Sequence, residues 1–226
     1  MNIALIVFAG IGARINSSVP KQFVKINNKE LVAYTIEAFN NHPLIDEIVL
    51  VTSKDYLRYA KTMVYMNRLN KVNHIVEGGS NRQESVRNGL NKVRFQDKDV
   101  VLIHDGDRPF VSTRLITRCL DEIKGQKAVA PIVKHSEAIE ELSNSGRFII
   151  INDERYDVGT PQTFYYGDVV EMHNRLKDIE VSDDMSLFEH ENIETKYFPG
   201  DPQNIKITTN QDLVYAKRHL AEFKDE

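Results

Sequence analysis

Short, continuously apolar runs alternate along this chain with segments whose apolar positions recur at helical spacing. "NIALIVFA" predicts a buried strand, and "KELVAYTIEAFNNH", with Leu31, Tyr34, Ile36, Ala38 and Phe39 roughly on one face, predicts a helix. The alternation repeats. "IDEIVLVTS" predicts a strand and "KDYLRYAKTMVYMNRL" a helix; "KVNHIVEGG" a strand and "NRQESVRNGLNKV" a helix. "DVVLIHDGDRP" reads as a strand that breaks into a loop. "STRLITRCLDEIKGQ" reads as a helix capped by Ser112 or Thr113, and "KAVAPIV" as another strand. Runs that are apolar at every position, not at alternate ones, belong to strands covered on both faces. The expected fold is therefore α/β, a doubly wound and mostly parallel sheet in one domain spanning residues 1–226.

The pattern changes after Pro131. "HSEAIEELSNSGRFIIINDERYD" has two strand-like arms around Asn144-Ser145-Gly146, a turn signal, and predicts a β-hairpin arm over about residues 135–158, outside the central sheet. The hairpin could fold back on its own domain or reach a second subunit; its run "FIII" needs a cover, which a partner arm would supply, so a homodimer is expected. "FYYGDVVEMHNRL" then returns to helix. The chain ends in a strand carrying Asn204 to Thr208 and a helix capped by Thr209 or Asn210.

Composition narrows the function classes. The 226 residues are 41% hydrophobic and 27% charged, values of an ordinary globular chain. A net charge of −4 gives no basic footprint, so no nucleic-acid partner is expected. No apolar run approaches the ~18 residues of a membrane span, and the N-terminus shows no signal-peptide pattern. The single cysteine, Cys119, sits in a helical pattern and reads as a small buried side chain. A cytoplasmic location fits these features.

Ligands of open α/β sheets bind beyond the carboxyl ends of the strands, so the strand exits hold the candidate chemistry. After the first strand comes "FAGIGARINSSVPKQ". Phe8, Ala9, Gly10, Ile11 and Gly12 form a loop whose small residues let backbone N–H groups approach an anion. Arg14 offers a planar fork to phosphate oxygens and Lys21 a mobile point charge. The loop is neither a dinucleotide fingerprint nor a P-loop, because the further glycine of one and the Gly-Lys-Ser/Thr of the other are missing. After the third strand, Gly78 to Ser85 opens a helix. It suits a ligand's phosphate or polar edge, or is simply a cap at Ser80 or Asn81. After the fourth, Asp105 and Asp107 in "HDGDRP" could share a divalent cation with phosphates, or close a turn with Arg108. His104 reads as a packed imidazole with a backbone partner. Lys206, flanked by Ile205 and Ile207, points away from them toward the strand exits.

These residues carry a resemblance. "FAGIGAR", "PKQF", "GGSNRQESVRNGL", "HDGDRPF", "TPQTF", "SDD" and "NIKITTNQDL" occur in the order found in the cytidylyltransferases that act on polyol and sugar-alcohol phosphates. The resemblance runs nearly end to end. It implies a Rossmann-like nucleotidyltransferase with a β-hairpin dimerisation arm. It also implies a reaction of CTP with an alcohol phosphate that yields a CDP-alcohol and pyrophosphate. It gives Arg14, Lys21 and Lys206 to catalysis around the α-phosphate. Phe8, Ala9, Gly10, Ile11, Gly12, Gly79, Ser80, Arg82, Ser85, Asp105 and Gly106 go to the nucleotide. Mg²⁺ goes to Asp105 with the triphosphate, and the acceptor phosphate and α-phosphate region to Thr160, Ser182 and Lys206; Arg155 joins the acceptor side only with a shifted arm, as a substitute for an arginine usual at position 152.

The chain departs from the family pattern in places. Glu137-Ala138-Ile139 stands where Asp-Thr-Ile is usual, Asn152 where an arginine is usual, and Asp105-Gly106-Asp107 where small residues follow the first acid. The altered acceptor half points to ribitol 5-phosphate or a related polyol phosphate as acceptor, hence to teichoic-acid or capsule precursor supply. Two alternatives stand beside it: the methylerythritol-phosphate enzyme of isoprenoid synthesis, and a CTP-binding homologue without turnover.

Overall fold

Ile3, Leu5 and Val7 point to one side of the first strand and Ala4 and Ile6 to the other, and both sets are buried. The computed structural model, which describes residues 1–10, 19–135, 139–142, 148–151, 154–220 and 222–223, repeats this two-sided burial across its sheet. The elements run β1 (Asn2–Val7), β2 (Lys25–Ile26), β3 (Lys29–Glu30), α1 (Leu31–Asn41), β4 (Glu47–Thr52), α2 (Leu57–Met66), β5 (Val72–Glu77) and α3 (Arg82–Lys92). There follow β6 (Val100–Asp105), α4 (Thr113–Glu122), β7 (Ala128–Lys134), β8 (Ile139–Leu142), β9 (Phe148–Ile151), β10 (Tyr156–Val158), β11 (Gln162–Tyr165), α5 (Tyr166–Arg175), α6 (Met185–His190), β12 (Lys196–Pro199) and α7 (Asn210–His219).

Eight strands form the main sheet in the order β10-β7-β11-β6-β1-β4-β5, with β12 also on β7. β1 lies between β4 and β6 and is parallel to both, and β5 extends the parallel half. β11 inserts antiparallel between β6 and β7, while β12 pairs with β7 in parallel. One face is covered by α1 and α4 through Ile36, Phe39, Ile116 and Leu120; the other by α3, α5 and α6 through Val86, Leu90, Val169 and Phe188. The fold is the expected mostly parallel α/β sheet. Helix α3 can lie this close only because residue 89 is glycine. A Cβ there would sit 2.7 Å from Val51 Cγ2 and 3.0 Å from Leu5 Cδ1.

The predicted caps form. Ser112 Oγ accepts from Leu115 N, and Thr209 makes a full capping box with Asp212. Cys119 is fully buried. β8 and β9 pair antiparallel as a separate two-stranded unit, as the hairpin reading expects. The turn Asn144-Ser145-Gly146 lies outside the described residues.

Three expectations are corrected. Tyr156–Val158, assigned to the arm, belongs to the central sheet through β7. "FYYGDVV" does not enter a helix at Phe164: Gln162–Tyr165 is a strand, because Phe164 is buried between β6 and β7 and stacks on Phe188 at 5.1 Å. The final strand is Lys196–Pro199, not Asn204 to Thr208. Ile207 packs with Ile26, Leu31, Phe110 and α7 in a separate cluster, and its N–H bonds the carbonyl of Asp107 at 2.8 Å.

Candidate active site

The carboxyl ends of β1, β4, β5 and β6 share one edge of the sheet, and a cleft of ≈ 340 Å³ opens there. Phe8, Ala9 and Gly10 line it from β1; Gly79, Ser80, Arg82 and Ser85 from the entry to α3; Asp105 and Asp107 from β6; and Lys21 and Lys206 from outside the sheet. Parallel pairing delivers these groups together, since every strand then releases its chain on the same side.

Asp105, the last residue of β6, is the electrostatic centre. Its Oδ2 is 2.9 Å from Lys206 Nζ and 3.4 Å from Arg108 Nε, and its Oδ1 is 3.1 Å from Arg82 Nε. Burial opposes the charge on this carboxyl. Arg82, Lys206 and Arg108 outweigh burial and hold it well below the ordinary carboxylate range. Arg82 also reaches Asp184, with Nη1 2.9 Å from Oδ2, and Asp184 Oδ1 meets His173 Nε2 at 3.0 Å in the interior. Burial disfavours the Arg82 charge as well, but Asp184 and Asp105 raise its pKa.

Lys21 begins a short 3₁₀ turn, Lys21–Phe23. Its Nζ lies 2.5 Å from Asp107 Oδ2 and donates to the Ile207 carbonyl at 2.7 Å. Beside it, Gln22 Nε2 donates to the carbonyls of Phe8 and Gly10 at 2.9 and 2.8 Å, tying this turn to the exit of β1. Gly106 allows the neighbouring turn to press on Phe8. A Cβ at 106 would be 2.8 Å from Phe8 Cβ.

The approach to α3 is closed by its own groups. Ser85 Oγ donates to the Asn81 carbonyl and accepts from Gly79 N, at 2.7 and 3.0 Å. Glu84 Oε2 accepts from Ser80 N and Oγ, both at 2.6 Å, and Asn81 caps the helix at Glu84 N. Ser85 therefore shapes the loop, with a side chain 1% exposed.

Of the acceptor candidates, Thr160 is buried. Its hydroxyl meets His104 Nδ1 at 2.9 Å and accepts from Asp105 N at 3.3 Å. His104 is the packed imidazole that was expected, with Nε2 3.2 Å from the Arg108 carbonyl, and burial pushes its pKa down to about 3. Ser182 is exposed with its Oγ 3.1 Å from Ser186 Oγ, and Arg155 is exposed with its carbonyl accepting from His135 N. Neither Ser182 nor Arg155 lines the cleft. Ile11, Gly12, Arg14, Glu137, Ala138 and Asn152 lie outside the described residues.

Four residues of the site were not singled out from sequence. Gln22, Asp184 and Asn204, whose Nδ2 donates to the Thr160 carbonyl at 2.6 Å, sit inside motifs that were read, but their partners are distant in sequence. His173 carries no signal, because it occupies an ordinary helical pattern.

Mg²⁺ fits here only together with a nucleotide. Both oxygens of Asp105 already meet cations, and the described residues contain no cluster of three or more acidic, histidine or cysteine ligands. A single carboxylate plus substrate phosphates is a usual Mg²⁺ arrangement.

Comparison with known proteins identifies the family of the chain. A family model described as "IspD: 2-C-methyl-D-erythritol 4-phosphate cytidylyltransferase" matches residues 2–222. A protein of that name from Clostridium novyi is 40% identical over 99% of this chain and 98% of its own length. One from Clostridium botulinum (strain Langeland) is 40% identical over 97% of each. The solved 4-diphosphocytidyl-2C-methyl-D-erythritol synthase of Anaerococcus prevotii superposes with a TM-score of 0.84 at 26% identity, covering 97% of this chain and 96% of its own.

These matches overturn the ribitol-phosphate, teichoic-acid and capsule reading. That reading rested on departures in the acceptor half, whereas the similarity to proteins named 2-C-methyl-D-erythritol 4-phosphate cytidylyltransferase spans nearly the whole chain. The chain is a cytidylyltransferase, and it belongs to the 2-C-methyl-D-erythritol 4-phosphate cytidylyltransferase family.

Proposed function

We propose that this enzyme transfers the cytidylyl group of CTP to 2-C-methyl-D-erythritol 4-phosphate, giving 4-diphosphocytidyl-2-C-methyl-D-erythritol and pyrophosphate for isoprenoid synthesis. The observation that carries the reading is the 40% identity to enzymes of that name across 99% of the chain. The cleft supports it by gathering Lys21, Lys206 and Arg82 beyond the parallel strand ends.

An oxygen of the acceptor phosphate attacks the α-phosphorus of CTP, and the bond to the β-phosphate oxygen breaks. Such chemistry asks the protein for positioning and for cations on the equatorial oxygens. Lys21 and Lys206 supply those charges, with Arg14 as the third. Backbone groups from Phe8 through Gly12, together with Gly79 and Ser80, cradle the nucleotide, with Arg82, Ser85 and Gly106 shaping the pocket. Thr160 fixes the backbone of Asp105, whose N–H donates to its hydroxyl. Mg²⁺, held by Asp105 and the triphosphate, would neutralise charge on the departing pyrophosphate.

The hairpin β8–β9 serves as the dimer arm. CTP supply places the reaction in the cytoplasm. The test is pyrophosphate release from CTP and Mg²⁺ with 2-C-methyl-D-erythritol 4-phosphate, run beside ribitol 5-phosphate and glycerol 3-phosphate. Turnover confined to the first acceptor is expected. Turnover with only another polyol phosphate would refute the reading.

A further inference from the structure

Lys21 is gripped before any substrate arrives. Of the three N–H donors on its ammonium, one faces Asp107 Oδ2 at 2.5 Å and one the Ile207 carbonyl at 2.7 Å. Among the described residues the third meets no acceptor, and Lys21 lines the cleft. The side chains of Lys21 and Asp107 are 12% and 14% exposed, so neither contact is a passing surface encounter.

Asp107 itself cannot drift. Its carbonyl accepts from Ile207 N at 2.8 Å. On either side of it, Gly106 N donates to the Val7 carbonyl at 2.9 Å and Arg108 N to the Asp105 carbonyl at 3.1 Å. Thr35 Oγ1 donates to the Gly106 carbonyl at 2.9 Å in the interior. The other carboxylate oxygen of Asp107, Oδ1, is buried without a hydrogen-bond partner among the described residues. Among the described residues, Lys21 is thus the cation that compensates this carboxylate.

We propose that Asp107 is a positioning residue for Lys21. With Ile207 it consumes two of the three donors and leaves one N–H aimed at a phosphate oxygen. It also partly neutralises the lysine, so that the contact favours geometry over bulk attraction for the nucleotide. A four-carbon stem without this clamp samples many rotamers, and a displaced charge stabilises a transition state poorly.

The inference rests on the proposed function for the role of Lys21, and the experiment separates the two. Wild type, Asp107→Ala, Asp107→Asn, Lys21→Met and the double variant Lys21→Met/Asp107→Ala are compared by pyrophosphate release and by thermal midpoint. Asp107→Ala should lower kcat by about tenfold or more, with KM for CTP within about threefold of wild type. Asp107→Asn keeps an acceptor for the lysine and should recover most of that loss. In the Lys21→Met background, Asp107→Ala should change kcat less than about twofold. Lys21→Met should lower the thermal midpoint by leaving a buried carboxylate unpaired, and adding Asp107→Ala should restore it. A kcat for Asp107→Ala within twofold of wild type, equal losses for the Ala and Asn variants, or additive effects in both cycles would each overturn the clamp. Wild type inactive with CTP and methylerythritol phosphate would instead sink the proposed function, and the midpoint cycle would still decide the clamp.

Discussion

Lys206 and Asp105 lie 101 positions apart in the chain and meet at 2.9 Å at the mouth of the cleft. The contact joins an irregular segment near the C-terminus to the end of a central strand. It leaves Lys206 partly exposed and lining the cleft, with Arg82 on the other oxygen of the same carboxylate. On the proposed function, entering phosphates would meet cations that are already ordered, which limits the reorganisation needed at the moment of reaction.

Lys21→Ala should lower turnover by about a hundredfold or more, the loss typical of removing a preorganised donor to a developing oxyanion. Arg14→Ala should do the same. Steady-state pyrophosphate release measures both, and a rate equal to wild type would remove the residue from the catalytic set.

Lys206→Ala should raise KM for the acceptor more than KM for CTP. Separate titrations of the two substrates read this out. A larger effect on CTP would move the lysine to the nucleotide side.

Asp184→Ala should be destabilising, by about 1–3 kcal/mol, because it removes the interior partner of His173 and one of the two carboxylates on Arg82, Asp105 remaining. The midpoint of urea unfolding reports the change. A midpoint equal to wild type would mean that Arg82 and His173 gain nothing from Asp184.

His104 sets an acid limit. Burial lowers its pKa in the folded chain to about 3 from an ordinary 6.5. Between those values the unfolded chain binds a proton that the folded chain refuses. Stability from this group is full above about pH 6.5 and falls as the pH drops toward 3, on the order of a few kcal/mol in all. Unfolding free energies at pH 4, 5, 6 and 7 should show one proton less of slope in His104→Asn than in wild type. Identical slopes would refute the assignment.

Cys119 should be inert in the native protein. Burial pushes its thiol up to about 12, and no part of the side chain is exposed. A chromogenic disulfide reagent should titrate no thiol in the folded enzyme and one after denaturation.

Much of the sheet was written in local pattern. The runs at β1, β4 and β6 are apolar at every position because both faces of these strands are covered, and that signal needs no knowledge of partners. Caps at Ser112 and Thr209 were legible for the same reason, since a cap is a contact between residues three apart. The strand exits, and so the residues gathered at the cleft, followed from the parallel order. Asp184 beside Arg82, Asp107 on Lys21 and Asn204 on Thr160 were not legible, because each joins elements through a packing geometry that no local spacing encodes. β11 escaped too: four residues before a helix carry too short a period, and only burial between β6 and β7 makes them a strand. The sequence by itself determined which segments are apolar on both sides and where small residues and cations leave them. The tertiary structure alone decided which carboxylate each cation meets, because a charge selects its partner by distance, and distance exists only once the sheet has closed the gap.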